Sequence, residues 1–185
     1  IEIFEAGQFS ADKCDLFPVV YRNTLVLLVG IGQRHDMSPT AYRVCIKSAL
    51  QVKFLQKKKN VEIVPNDPKD ECVHGIIEAI LIGTYGWQKY ITKPNCEIPL
   101  KDKTYTLVVP AKKSLEAMVA VCEGTNFARV LVNDNADFVT AEYLEKAIHK
   151  ITKGHKHISV EVLNKKEMKA KGLNLHLAVN QGSRN

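Results

Sequence analysis

A Gly-x-Gly pattern at Gly30 and Gly32 is the first feature of this sequence whose spacing bears on ligand chemistry. In dinucleotide-binding proteins such a pair opens a turn that carries a third glycine, and backbone N–H groups of the turn face a pyrophosphate. His35 stands where that third glycine would be. The spacing therefore favours a tight turn over a cofactor-binding loop.

Histidines and aspartates are the next candidates, because they are the side chains that most often bind metal ions. His155 and His157 are two residues apart, so in a strand they would point to opposite faces, and we interpret them as exposed loop histidines. His35 and His74 have no cysteine or carboxylate at a recognised ligand spacing. Asp134 and Asp137 flank a turn and could offer oxygen ligands to a hard cation, but such residues more often cap the turn itself.

The cysteines indicate free thiols in a reducing compartment. Their number is odd, no CxxC pair occurs, and neighbouring cysteines are 24 or more residues apart: Cys14, Cys45, Cys72, Cys96 and Cys122. The sequence also contains no nucleophile elbow, no HExxH motif and no local Cys-His catalytic motif. Residue chemistry therefore assigns no catalytic, cofactor-binding or metal-binding residue.

Composition places the chain among globular α/β proteins. Of its 185 residues 45% are hydrophobic, which argues against disorder, and no apolar run approaches the ~18 residues of a membrane span. The net charge is +6, with basic residues gathered at 57–59 and again between 150 and 171. No aromatic residues interleave with these lysines, so a solvated surface is favoured over a nucleic-acid site.

The elements that would position these residues alternate between strands and helices. Leu25–Val29 reads as a buried strand, and Ser38 caps a helix with Pro39 at its first position and an apolar face from Tyr42 to Phe54. This helix is predicted to end at Lys57–Lys59 and to lead to a strand at Val61–Val64, which makes a β-α-β unit. A helix from about Asp67, apolar on more than one side, then precedes a loop at 91–103.

The second half continues in the same manner. We predict a strand at Tyr105–Val109, a helix capped by Ser114 that runs to about Val132, and a helix capped by Thr140 that is closed by Gly154. Further predictions are a strand at Ile158–Val162, a helix with an Asn164–Glu167 capping box that stops at Gly172, and a strand at Leu175–Val179. Since a sheet would normally follow that last strand, the chain is expected to be truncated.

Five segments resemble one region of the leucyl (cytosol) aminopeptidase family. They are Asn126–Asn133, Thr140–Leu144, Val160–Leu163, Asn164–Leu173 and Leu177–Ser183, which follow one another in the family's order and spacing. Leu27–Gly32 and Gly83–Tyr90 resemble the family's N-terminal domain more loosely. One departure is the run 134–137, Asp-Asn-Ala-Asp, where the family usually has prolines and asparagine.

The resemblance implies an α/β fold with a mixed sheet flanked by helices, a long connecting helix and the incomplete start of a second α/β domain. The corresponding ranges are an N-terminal domain at 1–113, whose first strands could be missing, an inter-domain helix at 114–133 and the opening of the catalytic domain at 134–185. The family removes N-terminal residues from peptides with two divalent cations, zinc or manganese, that activate a water and polarise the scissile carbonyl. Its metal-binding segments do not occur in this sequence, so no site residue is carried over and no cofactor is expected in this chain.

The resemblance further implies a cytoplasmic protein and a homo-oligomer, which is a hexamer in the family, with subunit contacts as the role of residues 1–113. On this interpretation the chain alone is an inactive N-terminal fragment of a metallo-aminopeptidase that acts on peptide substrates. The alternatives are a basic α/β module that binds a nucleotide or nucleic acid, for instance through the Gly30–Gly32 turn, and an assembly domain without a ligand.

Overall fold

The computed structural model describes residues 9–66, 69–87, 89–92, 103–110 and 113–182. The chain folds into two compact units, residues 1–130 and residues 131–185. The described elements that lie in the first unit, or begin there, are β1 (Leu16–Tyr21), β2 (Thr24–Val29), a 3-10 turn (Arg34–Asp36), α1 (Pro39–Leu50), α2 (Lys53–Gln56), β3 (Asn60–Ile63), α3 (Asp70–Leu81), β4 (Thr104–Leu107) and α4 (Lys113–Asn133). The predicted α/β class is confirmed, with small sheets among helices.

An antiparallel hairpin forms the first sheet. Strand β1 pairs with β2 from Leu16 opposite Val29 to Tyr21 opposite Thr24, and Arg22 and Asn23 make the turn with positive φ angles of 46° and 64°. The sequence analysis did not predict β1, because Pro18 interrupts its apolar run and proline usually indicates an edge strand or a loop. The prediction that β2 is a buried strand was wrong in part, since Leu25 is 41% exposed and no residue of β2 is fully buried.

The parallel pairing joins β3 to β4, with α3 between them in the chain. The predicted unit of β2, α1 and β3 was therefore wrong: β2 pairs with β1, and the β-α-β unit is β3–α3–β4. Hydrophobic periodicity indicates which segments are strands, but it carries no information about which strands pair. The ladder is extended by backbone hydrogen bonds from Thr104 to Lys59 (2.8 Å) and from Val108 to Ile63 (2.9 Å).

Helices α1 and α3 supply most of the core of the first unit. Ser38 caps α1 by accepting a hydrogen bond from the Ala41 N–H at 3.2 Å, as predicted. One cluster of buried residues holds Tyr42, Ile46, Cys72, Ile76, Ala79 and Ile80, and a second holds Val73, Ile77 and Cys122. Residues on more than one side of α3 are buried, as the sequence predicted for this helix.

One helix prediction needs correction at its end. Helix α1 ends at Leu50, and Phe54 belongs to the separate short helix α2. The helix is interrupted at Gln51 and Val52, and Val52 has the extended backbone conformation that precedes a new helix. The ammonium group of Lys103 donates to the Leu55 and Gln56 carbonyls, at 3.3 and 2.6 Å, and so satisfies the C-terminal end of α2.

The second unit is helical where the structure describes it. Its elements are α5 (Ala141–Thr152), α6 (Lys165–Ala170), α7 (Asn174–Val179) and a 3-10 turn (Asn180–Gly182). The predicted caps are confirmed: Thr140 accepts from the Tyr143 N–H, Asn164 and Glu167 form a capping box, and Gly154 and Gly172 adopt φ angles of 90° and 74°.

Two strand predictions in this unit were wrong. Residues 158–162 form no ladder with any described strand, so their alternating pattern lacks the partner that a strand requires. Leu175–Val179 lies in helix α7, because a short apolar run fits either period and its leucines and alanine are strong helix formers.

Two other boundaries concern parts that the structure describes incompletely. Ser114 lies inside α4, which begins at Lys113, and residues 111–112 lie outside the described part of the chain. Most of the predicted loop at 91–103 also lies outside it. Among the described residues no helix is both long and apolar enough to cross a membrane.

Candidate functional site

The end of α3 and the middle of α4 are joined by polar side chains. The Asn126 side-chain N–H donates to the Leu81 carbonyl at 2.8 Å, and the Arg129 guanidinium donates to the Ile82 carbonyl at 3.1 Å. Both carbonyls lie at the C-terminal end of α3, where the backbone has no helical partner. The two side chains therefore complete the hydrogen bonding of one helix from another; we call Asn126, Arg129 and Tyr85 the α3–α4 clamp.

Tyr85 completes this clamp. The Arg129 guanidinium lies 4.0 Å from the centre of the Tyr85 ring, within the range of a cation–π interaction. Arg129 also donates to the Asn126 side-chain oxygen at 3.3 Å. The sequence analysis gave these three residues no role, although they belong to the quoted segments 126–133 and 83–90.

An open apolar groove lies beside this helix pair in the first unit. Its volume is about 390 Å³, and the residues that line it come from α3, β4 and its end, and α4: Ile77, Ile80, Leu81, Tyr105, Leu107, Val109, Leu115, Glu116 and Val119. Burial raises the pKa of the Tyr105 phenol above its ordinary value, and the phenol group can donate a hydrogen bond. With one carboxylate and one phenol at its wall, the groove suits an apolar group and holds no nucleophile with a neighbouring base.

The Gly30–Gly32 turn is filled by the chain itself. A Cβ atom at Gly30 would overlap the Asp12 carbonyl oxygen, so only glycine fits there. The Gly30 N–H donates to Asp15 at 2.8 Å, and the Gly32 N–H donates to Ala11 at 3.1 Å. These two N–H groups are therefore unable to hold a phosphate, which supports the predicted tight turn and argues against a nucleotide at this turn.

The candidate metal ligands are not brought together. His35 is exposed and lies 3.5 Å from the Asp36 carboxylate, whereas His155 and His157 are exposed near the end of α5. His74 is half-buried in α3, and its Nε2 atom has no hydrogen-bond partner among the described residues. Across the part of the chain that the structure describes, no group of three His, Cys, Asp or Glu side chains could hold a metal ion.

The acidic turn has a structural role. Asp134 accepts a hydrogen bond from the Asn135 N–H, and the Asn135 side chain accepts one from the Asp137 N–H, both at 2.9 Å. The second of these is the bond of an Asx turn that begins at Asn135, and the first is a contact between adjacent residues of the same turn. The interpretation of Asp134 and Asp137 as turn residues is therefore supported for Asp134, whose carboxylate forms one of these bonds.

Four of the five cysteines are described, and all four are free thiols. Burial raises the pKa values of Cys72 and Cys122. Burial and, after it, the neighbouring Cys14 thiol raise the pKa of Cys45 to about 11. Because the thiolate is the nucleophile, burial disfavours reaction of Cys72 and Cys122 with reagents from solvent. Cys14 is half-buried, and its sulfur lies 2.7 Å from that of Cys45.

The lysines at 57–59 and between 150 and 171 are exposed, as expected for a solvated surface. Lys171 forms an exposed ion pair with Glu161 at 2.8 Å. Such pairs contribute little to stability and bind no ligand by themselves.

The comparisons with known proteins agree with the resemblance seen in the sequence. The model of the "Cytosol aminopeptidase family, catalytic domain" matches residues 126–185. A probable cytosol aminopeptidase of Protochlamydia amoebophila (strain UWE25) is 28% identical over 193 residues, an alignment that covers 98% of this chain and 38% of that protein. The resemblance to the cytosol aminopeptidase family is thus confirmed.

Two solved structures share the fold. The bottromycin maturation enzyme BotP matches with a TM-score of 0.81 at 18% identity, over 100% of this chain and 41% of that one. A mutant of tomato leucine aminopeptidase matches with a TM-score of 0.73 at 20% identity, over 100% of this chain and 38% of that one. The sequence therefore spans about two fifths of these structures, and 38%, 34% and 32% of three of the curated relatives it matches.

Proposed function

We propose that this chain, a relative of the cytosol aminopeptidases, is the N-terminal part of a metal-dependent enzyme that removes N-terminal residues from peptides. The observation that carries the proposal is the match along 98% of the chain to a probable cytosol aminopeptidase, of which it covers 38%. On this proposal the catalytic domain begins within residues 126–185, the range that the family's catalytic-domain model matches.

The surface of the second unit supports the proposal. No described residue between 131 and 182 is buried, and large apolar side chains are exposed there: Val132, Phe138, Ile148, Ile151, Leu175 and Val179. Soluble monomers seldom expose so many apolar groups in a short segment, and such surfaces are usually covered by other protein. We propose that the rest of the catalytic domain covers them in the complete enzyme.

The metal ions of such an enzyme have no place among the residues that the structure describes. Two zinc or manganese ions need clustered carboxylate, imidazole or similar ligands, and the described residues contain no such cluster. The donor set therefore does not fit the metal pair, and no step of peptide hydrolysis is assigned to this chain. The proposal places the metals in the part of the enzyme that the relatives have and this sequence does not include.

For residues 1–113 we propose a role in subunit assembly within a cytoplasmic homo-oligomer, a hexamer as in the family. The predicted ranges of 1–113, 114–133 and 134–185 remain part of this proposal. The apolar groove between α3, β4 and α4 supports the assembly role, because it leaves the first unit with an open apolar surface.

The activity proposal is tested with the chain and a leucine anilide substrate in the presence of Mn²⁺ or Zn²⁺. We expect no release of the aniline at any concentration of either metal, because the described residues hold no metal-binding cluster. A protein extended to the length of the relatives should hydrolyse the same substrate. Metal-dependent turnover by the 185-residue chain would contradict the proposal.

Sedimentation tests the assembly role separately. We expect concentration-dependent self-association of the chain, and a monomer at high concentration would contradict it. Nucleoside phosphates and short nucleic acids should leave the melting temperature unchanged; a rise that salt abolishes would favour the basic binding module instead.

A further inference from the structure

Cys14 and Cys45 form a thiol pair that the spacing of the cysteines in the sequence did not predict. The two residues are 31 positions apart, and their sulfur atoms are in direct contact at 2.7 Å, compared with ~2.05 Å in a disulfide bond. No other pair of sulfur atoms is in such contact among the described cysteines Cys14, Cys45, Cys72 and Cys122. The pair therefore differs from the isolated core thiols of Cys72 and Cys122.

The backbone holds Cys14 in place before β1. The Cys14 N–H donates to the Gly30 carbonyl at 2.9 Å, and the Gly30 N–H donates to the Asp15 carbonyl at 2.8 Å. Cys14 also has a φ of 66°, a left-handed conformation that is unfavourable for a residue with a side chain. The turn thus places the Cys14 backbone beside Gly30, directly after β2.

Cys45 is the buried member of the pair. It lies in the middle of α1, is fully buried, and so has its position fixed by core packing. Cys14 is half-buried, so an oxidant from solvent can reach it first, whereas Cys45 is shielded. This asymmetry is the arrangement of an oxidant-facing thiol and a resolving thiol.

We infer that Cys14 and Cys45 are a redox modification site that a hydroperoxide converts into an intramolecular disulfide. The Cys14 sulfur attacks one peroxide oxygen, the O–O bond breaks, and hydroxide leaves and is protonated to water. The Cys45 sulfur then attacks the resulting sulfenic sulfur. The S–S bond forms as the S–O bond breaks, and the hydroxyl group leaves with the Cys45 thiol proton as a second water.

The oxidation of the two thiols by hydrogen peroxide is balanced in electrons and protons. The two thiols lose two electrons and two protons, and hydrogen peroxide is reduced by two electrons to two molecules of water. The product links the turn before β1 covalently to α1. This site does not depend on the proposed aminopeptidase function, because both cysteines lie in the first unit, away from the family's catalytic-domain match.

The test treats the reduced chain with hydrogen peroxide and maps its peptides by mass spectrometry without reduction. We expect a mass loss of about two hydrogens and a cross-linked pair of peptides that contain Cys14 and Cys45. Cys14→Ser and Cys45→Ala should each abolish this cross-link, and Cys122→Ala is the matched control that should retain it. Two free thiols after treatment, or a cross-link between other cysteines, would overturn the inference.

Thermal unfolding of the chain without substitutions tests the inference independently of the cysteine variants. Oxidation of the unmodified chain should raise the Tm by about 5 to 10 °C, because the bond closes a loop of moderate length in the unfolded chain. A thiol reductant should reverse the rise. A lower Tm after formation of the cross-link would overturn the inference that the fold accommodates this bond.

Discussion

Arg129 is the side chain on which the α3–α4 clamp depends. It contacts the Ile82 carbonyl, the Asn126 side chain and the Tyr85 ring, so its removal leaves that carbonyl with only the Tyr85 N–H, at 3.3 Å, as a donor among the described residues. A hydrogen bond from a charged donor and a cation–π contact each contribute about 1 kcal/mol or more in a partly buried place.

We therefore expect Arg129→Met to lower the free energy of unfolding by about 2 kcal/mol, measured by urea denaturation. The matched control is Arg43→Met, which breaks a more exposed ion pair between Arg43 and Glu78 at 3.1 Å. This control should cost about 0–1 kcal/mol. Equal losses in the two variants would mean that the contacts of Arg129 have no special weight.

The Cys45 thiol makes stability depend on pH in the alkaline range. Burial and the adjacent Cys14 raise its pKa from 9.0 to about 11 in the folded chain, so the folded state holds this proton more tightly than the unfolded state. The contribution is fully present below pH 9 and is lost as the pH rises from 9 to 11, by an amount of the order of 2 kcal/mol.

Urea denaturation of the reduced chain and of Cys45→Ala across this pH range checks the prediction. Lysine and tyrosine titrations are common to both proteins, so the difference between their unfolding free energies isolates the thiol. We expect the advantage of the unmodified chain to decline above pH 9. A difference that stays constant to pH 11 would show that Cys45 titrates normally.

At the scale of elements, the contact of α1 with α3 depends on Gly75. A Cβ atom there would overlap the Pro39 carbonyl oxygen, which belongs to backbone and cannot turn aside. Gly75 thus lets the start of α1 lie directly against α3. The sequence pattern of α3 gave no sign of this, because a glycine inside a helix usually indicates only weaker helix propensity.

Gly75→Ala should destabilise the chain by at least about 2 kcal/mol, because the two helices must move apart. Gly124→Ala is the matched control, since Gly124 lies within α4 and nothing lies within 4 Å of its Cβ position. Alanine there should stabilise the chain by about 0.5–1 kcal/mol through helix propensity. Thermal unfolding of the two variants should therefore show opposite shifts, and a neutral Gly75→Ala would contradict the close helix contact.

At the scale of the whole molecule, the two units differ in burial. All described core residues belong to the first unit, from Phe9 to Cys122, whereas residues 131–182 contain none. Helix α5 is amphipathic in sequence, yet Tyr143, Ile148 and Ile151 on its apolar side are 41% to 51% exposed. Because burial of apolar surface is the main source of stability, the second unit by itself has little stability.

Hydrogen exchange should therefore separate the units. We expect backbone amides of α5, α6 and α7 to exchange by local opening at a small fraction of the global unfolding free energy, and those of α3 to exchange only on global unfolding. Mass-spectrometric hydrogen exchange on the reduced chain measures both in one experiment. Protection of α5 equal to that of α3 would show that the second unit has a stabilising partner.

Helix ends were predictable because the relevant interactions lie within a few residues. Ser38 with Pro39, Thr140, and Asn164 with Glu167 each form their cap within one turn of chain, so the sequence shows both partners. The family resemblance came from the order and spacing of several segments, and no single residue indicated it.

Contacts between distant segments were decided only by the tertiary structure. The pairing of β3 with β4, the approach of Gly75 to Pro39, the clamp through Arg129 and the meeting of Cys14 with Cys45 join residues that lie 31 or more positions apart. The free energy of each contact depends on where the rest of the chain places both partners. Local pattern thus determined which elements form, whereas their packing determined which chemical groups meet.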